Sequence, residues 1–380
     1  MVWQWFLLAS LALIAAPVLA QTAPRPASGS TGTTHQLLRQ GRELVKKRDW
    51  AAALALYQQV AQQSPQNGAV FAAIGYIHTQ QQNWPAALEA YQRAVTLSPR
   101  NADFYNALAR VQAELGEYLA ASASYQQSLR LHPRQATAYL GLAAIQERLG
   151  NPQASVATLE RGLRLNPQSV PLHEALGRLW LTTNQPQRAL DILSRAAQLA
   201  PRNTTIQRLL ALSWALQGDT PRAQQLLLNA LRLNPQDPEI YFQLAKLQET
   251  SGDLAAAIYT YELAAQLQPA RAYTALGQLY MQQQNWEQAA WAYRQVIQLE
   301  PELAIAHHQL GLALHRQQKN TEAESVLLTA RSLYQRQENP TGLQQVEQLL
   351  QQVRPAPKTK TKIKSNKPGE SQEPLPYDGY

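Results

Sequence analysis

Small and large apolar side chains recur at fixed positions along most of this chain, with polar residues between them. Counting each regularly spaced proline as position 32 of a unit puts a small residue at position 8 of nine units: Gly41, Gly75, Ala109, Ala143, Gly177, Ala211, Ala245, Gly277 and Gly311. Position 20 is small in the same units, and position 24 is large and apolar or aromatic, as at Ala53 and Tyr57 in the first. The spacing predicts an all-α array of nine repeats from Thr34 to about Gln335.

The prolines that mark the units stand 34 residues apart. They are Pro65, Pro99, Pro133, Pro167, Pro201, Pro235 and Pro269, and Pro301 follows 32 residues after the last. Proline cannot donate to a continuing helix, so each one predicts the end of the second helix of its unit. The shorter final interval predicts a tightened turn after Pro269. The alternative is a change in superhelical pitch that divides the array into seven repeats and two.

Capping residues indicate two helices in each unit. The first helix, over positions 1 to 14, would be capped at position 34 of the preceding unit by Asn67, Asn101, Ser169, Asn203 and Asp237. Glycine at position 15, suited to a left-handed helix end, recurs at Gly116, Gly150, Gly218 and Gly252. The second helix would be capped by Asp49, Asn83, Asn151, Asp219, Asp253 and Asn285. Aromatic residues at positions 4, 17 and 24, and Trp180 and Trp214, are interpreted as interior.

With its 34-residue period and its small, small, large, proline pattern, the chain resembles the tetratricopeptide repeat (TPR) family over roughly four fifths of its length. The resemblance implies a right-handed superhelical solenoid of about nine helical hairpins with a concave groove. After Gln335, the stripe of Leu343, Val346, Leu350 and Val353 predicts a C-terminal capping helix within residues 336–354. The matching residues are those that pack helix on helix, so they specify the fold and not the partner.

In the TPR family, positions 2, 5, 9, 12 and 13 of the first helix face the groove. At position 9 the candidate partner-binding residues are Arg42, Tyr76, Arg110, Arg178, Lys246 and Gln278, alongside Ala144, Leu212 and Leu312. Cations that alternate with less polar residues predict a ladder for an extended or helical partner with spaced acids. Glu174 and Glu114 lie four residues from Arg178 and Arg110, so a solvated mixed-charge face stays open. Chaperone-docking members carry Asn at position 9 of their first repeat, and Arg42 there makes chaperone tails unexpected ligands.

The two ends of the chain differ from the array. Residues 1–20 are apolar and end in Val18-Leu19-Ala20, which predicts a signal peptide cleaved before Gln21 or, alternatively, an uncleaved N-terminal anchor. Residues 21–33 are interpreted as a flexible linker, and the array is expected to be exported, periplasmic or membrane-associated. Residues 355–380 are predicted to be a disordered basic tail. Within it Lys358, Lys360, Lys362 and Lys364 could contact an anionic membrane, or the tail could stay solvated without a partner.

Charge and composition narrow the function further. The net charge is +8, of which residues 354–380 carry +3 and Arg25 carries +1, so the array itself has only a spread excess of +4 and no nucleic-acid partner is expected. There is no Cys. We find no phosphate loop, dinucleotide turn or HExxH spacing, and expect no enzyme activity and no cofactor. His308 and His315 lie two helical turns apart, too far for one metal ion to bind both directly, so no metal site is expected.

The sequence therefore predicts a non-enzymatic scaffold that binds a protein or peptide outside the cytoplasm. Exported nine-repeat arrays of this length resemble the periplasmic TPR factors that assist photosystem II assembly and deliver manganese in cyanobacteria, which is one alternative. The other is the recognition subunit of an enzyme complex whose catalytic domain is a separate chain.

Overall fold

The repeating pattern folds into consecutive helical hairpins. The computed structural model describes the backbone of residues 31–353 and the side chains of residues 36–353. The first helices of the nine repeats are α1 (Thr31–Lys46), α3 (Gly68–Gln80), α5 (Ala102–Glu114), α7 (Ala136–Arg148), α9 (Val170–Thr182), α11 (Thr204–Leu216), α13 (Pro238–Thr250), α15 (Pro269–Gln282) and α17 (Ala304–Arg316). The predicted signal peptide 1–20, the predicted tail 355–380 and most of the linker 21–33 lie outside the described residues.

The second helices follow after short turns. They are α2 (Trp50–Gln63), α4 (Trp84–Leu97), α6 (Tyr118–Leu131), α8 (Pro152–Leu165), α10 (Pro186–Leu199), α12 (Thr220–Leu233), α14 (Leu254–Ala265), α16 (Trp286–Leu299) and α18 (Asn320–Arg336). A further helix, α19 (Pro340–Val353), closes the described part of the chain. The all-α fold class is confirmed, and residues 31–353 contain no strand.

Two compact units divide the chain, one ending at Leu247 and the other beginning at Gln248. In the first unit, the first helices of consecutive repeats are in contact: α5 contacts α7, α7 contacts α9, and α9 contacts α11. Each hairpin of the second unit also packs on the next, from α14 with α15 through α18 with α19. The boundary falls inside α13, ahead of the shortened interval.

The predicted caps of the second helices are confirmed in every case. Their side chains accept a hydrogen bond from the backbone N–H of the first helical turn, for instance Asp49 from Ala52 at 3.1 Å and Asn285 from Gln288 at 3.3 Å. Among the first helices, Ser169 is the N-cap residue of α9 as predicted, but its side chain accepts no hydrogen bond there.

The turn between the two helices of a hairpin has a left-handed residue at position 15 in every repeat. The four predicted glycines adopt φ from +73° at Gly150 to +85° at Gly218. The other five repeats place an ordinary side chain there: Arg48, Gln82, Asn184, Gln284 and Gln318, with φ from +57° to +63°. The turn geometry is therefore kept even where the sequence does not favour it.

Tight packing inside each hairpin joins position 8 to position 24. A Cβ added at Gly177 would lie 2.4 Å from Leu193, and one at Gly277 would lie 2.8 Å from Tyr293. The small residues at position 20 are fully buried, as at Ala53 and Ala87. The predicted roles of positions 8, 20 and 24 are confirmed.

Several boundaries differ from the sequence prediction. Helix α1 begins at Thr31, three residues inside the predicted linker. Helix α14 ends at Ala265, and Pro269 is the first residue of α15. The connection is therefore shortened as predicted, but it lies before the proline and not after it. Trp180 is buried, whereas Trp214 is only half-buried under the guanidinium of Arg222.

The predicted capping helix is observed as α19. Its buried face contains Val346, Leu349, Leu350 and Val353, while Leu343 is half-buried. Without a proline at position 32 of the last repeat, α18 continues to Arg336, three residues longer than α16. The cap thus covers the second unit at the place where another repeat would otherwise follow.

Candidate functional site

The candidate residues at position 9 lie on the first helices and are at least partly accessible. Arg42, Tyr76, Arg110 and Arg178 are half-buried in the first unit, where Lys246 is exposed. Gln278 is exposed in the second unit. Tyr76 and Arg110 belong to consecutive repeats, and both act on the pKa of Tyr91, which is raised chiefly by burial, so these two position-9 side chains lie in the neighbourhood of the same ring.

Position-9 arginines stand next to the buried tyrosines at position 24. Burial raises the pKa of Tyr125 to about 12, and the positive charge of Arg110 opposes that rise. Arg42 opposes a similar rise in the pKa of Tyr57. Each arginine is therefore close enough to the buried tyrosine of its own hairpin for its charge to act on it.

Arg178 belongs to a set of alternating charges that we call the charged cluster: Glu147, Glu174, Arg178, Arg208 and Asp237. Burial raises the pKa of the Glu147 and Glu174 carboxyl groups, and the guanidinium of Arg178 partly offsets the rise in both. Arg208 adds to this at Glu174 and pairs with Asp237, with Nε 3.9 Å from Oδ2. The cluster joins first helices of neighbouring repeats, α7, α9 and α11.

The charged cluster bears on the two interpretations of the groove. Carboxylates on both sides of Arg178 favour the mixed-charge face at that point. Arg208 differs, because its Nε and Nη1 atoms are buried and form no hydrogen bond within the described residues, although Nε lies 3.9 Å from Asp237. Since these atoms are not accessible to a ligand, the charge of Arg208 helps to hold the helices together.

In the second unit an uncharged cleft opens between α15 and α17. We call it the amide cleft, defined by six side chains: Thr274, Gln278, Met281, Gln282, Ile305 and Gln309. Its volume is about 290 Å³, and Tyr293 and Leu303 also line it. Five of the six occupy positions 2, 5, 9, 12 and 13, the positions expected to face the groove. The structure thus brings the expected positions of two adjacent first helices to one cleft.

The amide cleft is uncharged and combines polar amide groups with apolar side chains. Gln278, Gln282 and Gln309 each offer an amide that can donate and accept hydrogen bonds. Ile305 is 43% exposed and supplies an apolar wall together with Met281. Such a cleft can hold a peptide backbone by its amides and an apolar side chain by its wall.

Sequence reasoning missed a polar contact that recurs within the hairpins. A hydroxyl at position 23 donates to the amide oxygen of a glutamine at position 11: Ser124 to Gln112 at 2.7 Å, Thr158 to Gln146 at 2.8 Å and Thr260 to Gln248 at 2.8 Å. Two of these contacts are buried, and the Thr158 pair is partly buried. The signal was a glutamine followed twelve residues later by Ser or Thr, and its role is to fix helix against helix.

The histidines of the last repeat have separate structural contacts. His308 is buried against the ring of Tyr334, with ring centroids 6.2 Å apart, and burial lowers its pKa. His315 Nδ1 lies 2.9 Å from Asn320 Oδ1, and His307 Nε2 lies 2.9 Å from the carbonyl of Pro301. Over residues 36–353, carboxylates and imidazoles form no group of three suited to a metal ion. Among the helices that the structure describes, none has the length and apolar content needed to cross a membrane.

Family models of one kind match most of the array. A model described as TPR repeat matches residues 75–116 and 277–318, and two described as tetratricopeptide repeat match residues 106–170 and 209–272 and residues 148–213. The comparison with curated proteins returned no match.

Solved structures of similar fold are repeat proteins as well. A tetratricopeptide repeat protein from Parabacteroides merdae is 18% identical with a TM-score of 0.53, covering 65% of this chain and 98% of that one. Yeast Tom70 is 12% identical with a TM-score of 0.48, covering 84% and 96%. Pseudomonas aeruginosa pilF is 22% identical with a TM-score of 0.45, covering 53% and 92%. At 18% identity, the similarity to the Parabacteroides merdae protein supports the fold alone.

Proposed function

Because the chain belongs to the tetratricopeptide repeat family, we propose that it is a non-enzymatic scaffold that binds a partner protein or peptide in the groove lined by its first helices. The observation that carries this proposal is the amide cleft, where side chains at the expected groove positions of α15 and α17 surround one opening. Their chemistry suits binding, since amides and exposed apolar groups hold a peptide without transferring a proton or a bond.

The amide cleft takes an uncharged residue of the partner. Its six defining side chains carry no formal charge, so a buried carboxylate or ammonium would lose water without gaining an opposite charge. An apolar side chain packs on Ile305 and Met281 while the neighbouring peptide groups bond to Gln278 and Gln282. The partner segment is therefore extended and locally apolar at this point.

The first helices of the first unit carry charged side chains at expected groove positions. Arg42 and Arg110 lie near the buried Tyr57 and Tyr125 of their own hairpins. Arg178 is balanced by Glu147 and Glu174. Among the ladder residues named from the sequence, Arg178 is therefore the weakest candidate for binding an acidic residue of the partner.

A peptide selection tests the proposal. Random peptides are selected on the immobilised full chain, and the affinities of the enriched peptides are measured by fluorescence anisotropy. Ile305→Asp places a charge in the amide cleft, and we expect it to weaken binding at least about tenfold. Leu299→Asp is the matched control, because Leu299 is similarly exposed at 48% but lies at the end of α16, outside the cleft. Equal binding by both variants would reject the cleft as the site.

We further propose that the scaffold works outside the cytoplasm, and that the tail after residue 354 contacts anionic membrane. The support is the apolar run of residues 1–20 with its small residues before Gln21, and the alternating lysines from Lys358 to Lys364. Mass spectrometry of the purified native chain tests the first point. A mature N-terminus at Gln21 supports export, and an intact Met1 in a cytosolic fraction contradicts it.

A further inference from the structure

A second cavity lies in the first unit, away from the groove positions. Its volume is about 700 Å³, and the side chains that matter are Leu163 and Arg164 of α8, His173 and Trp180 of α9, and Arg188 and Arg195 of α10. These are positions 28, 29, 4, 11, 19 and 26 of their repeats, and none of them is a groove position. The second helices α8 and α10 form its two sides.

The cavity lies where repeat five has an imidazole at position 4, in place of the larger ring that repeats two and eight have. In repeat two that position is Phe71, and the guanidinium of Arg93 at position 26 lies 4.2 Å from the ring centroid. In repeat eight it is Tyr273, against which Trp291 packs edge-on at 5.5 Å. Repeat five has His173 at position 4, and Arg195 at position 26 is the counterpart of Arg93. Within the described residues, Arg195 forms no cation–ring contact like that of Arg93.

The imidazole of His173 is turned toward its own helix. Its Nδ1–H donates to the carbonyl of Ser169 at 2.9 Å, since a carbonyl oxygen can only accept. In repeats seven and nine the polar group at position 4 instead reaches the carbonyl of the preceding proline: Tyr241 that of Pro235 at 3.1 Å and His307 that of Pro301 at 2.9 Å. In repeat five the corresponding Pro167 lines the open cavity.

The rim of the cavity carries unpaired positive charge. Arg164, Arg188 and Arg195 are exposed, and none of them forms an ion pair within the described part of the chain. Arg188 is held in place by Trp180, with its guanidinium 4.8 Å from the ring centroid. Two carboxylates, Glu160 and Asp191, share the rim, so three guanidinium groups face two acids.

We propose that this cavity is a second binding site, which takes an aromatic side chain carried on an acidic peptide segment. The ring of the ligand lies beneath Arg195, as Phe71 lies beneath Arg93, and gains a cation–π contact. Carboxylates on either side of that ring pair with Arg164 and Arg188 at the rim. The site is formed by α8, α9 and α10 away from the groove positions and works independently of the groove.

Synthetic peptides test this on the full chain. The probe is the acetylated, amidated pentapeptide Asp-Glu-Phe-Glu-Asp, and its partner has Ser in place of Phe with the same charge. Binding is followed by isothermal titration calorimetry at low and at physiological salt. We expect the Phe peptide to bind at least tenfold more tightly than the Ser peptide. Equal binding of the two would show attraction by charge alone and overturn the proposal, as would no binding of the Phe peptide at millimolar concentration.

Three variants locate the binding. Arg195→Ala removes the cation above the ring, and His173→Phe supplies the phenyl ring that repeat two has, so that a ring of the chain competes with that of the ligand. Both variants should bind the Phe peptide at least tenfold more weakly than the wild type does, and circular dichroism checks that the helices remain. Arg161→Ala is the control, because Arg161 is an exposed arginine of α8 that does not line the cavity. Wild-type affinity in Arg195→Ala would overturn the assignment even if His173→Phe failed to fold. Ile305→Asp should bind the Phe peptide normally, which separates this site from the groove.

Discussion

The left-handed residue between the helices of each hairpin offers a quantitative test of the fold. Gln82 has φ +57° between α3 and α4, where Gly116 of the next repeat has φ +80°. An ordinary side chain in this region costs about 1–2 kcal/mol per residue. Glycine avoids that cost but loses about 0.4–1 kcal/mol of stability through the greater freedom of the unfolded chain. We therefore expect Gln82→Gly to raise the free energy of unfolding by about 0.5–1 kcal/mol.

The reverse change should have the opposite sign. A Cβ added at Gly116 would meet no atom within 4 Å, so Gly116→Gln changes backbone energy without a clash. We expect a loss of about 0.5–1 kcal/mol. Asn184, at φ +57°, is the internal control, because asparagine tolerates the left-handed region better than glutamine does. Asn184→Gly should therefore gain less than Gln82→Gly.

Guanidinium unfolding followed by circular dichroism at 222 nm measures all three variants. Because repeat arrays need not unfold in one step, hydrogen exchange of amides in α3 and α4 supplies the local value. A destabilised Gln82→Gly, or a neutral Gly116→Gln, would refute the account of the turn. A larger gain from Asn184→Gly than from Gln82→Gly would do the same.

Four further predictions follow from packing and charge. Ala121→Leu should destabilise by about 1–3 kcal/mol through overpacking, measured by chemical denaturation; wild-type stability would contradict the packing of position 20. Burial lowers the pKa of His308 below 6.5, so the folded state favours the neutral imidazole, and the stability that this gives is lost as the pH falls. His308→Gln should therefore flatten the decline in Tm between pH 7 and 5. The control His307→Gln should not. Burial raises the pKa of Glu174 above 4.5, so the stability that its protonated form gives is lost as the pH rises through the folded-state pKa. Glu174→Gln should therefore have a higher Tm than the wild type at pH 7, and this difference should shrink toward pH 4. Deleting residues 355–380 should reduce sedimentation with phosphatidylserine liposomes, and unchanged sedimentation would remove the tail from the proposal.

Local chemistry made most of the fold predictable from the sequence. The caps at Asp49 and Asn285 and the left-handed Gly150 depend on residues within one turn, so their positions indicate the structure directly. Ser169 takes the predicted N-cap position of α9 without accepting a bond, although Asn83 and Asp219 accept one with proline at the same place in their helices. The left-handed Gln82 could be expected only by comparing repeats, since glutamine itself does not favour that conformation.

The candidate sites were less predictable because they join different repeats. The pairing of Glu174 with Arg178 follows from helical spacing, but Glu147 approaches from α7, and no local rule brings it there. Gln278 was a candidate by position, whereas its cleft with Ile305 depends on how α15 packs near α17. The cavity at His173 joins α8, α9 and α10, so it becomes visible only when the helices are placed in three dimensions.

Site-specific photocrosslinking tests the central claim most directly. Benzoylphenylalanine is placed either at Gln278 in the amide cleft or at Gln288, an exposed residue of α16 that does not line it, and the chain is irradiated in a native extract. We expect a partner protein to be crosslinked from position 278, Ile305→Asp to abolish this product, and position 288 to yield none of it. Crosslinking from position 288 as efficient as from 278, or a product from 278 that survives Ile305→Asp, would contradict binding in the groove of the first helices.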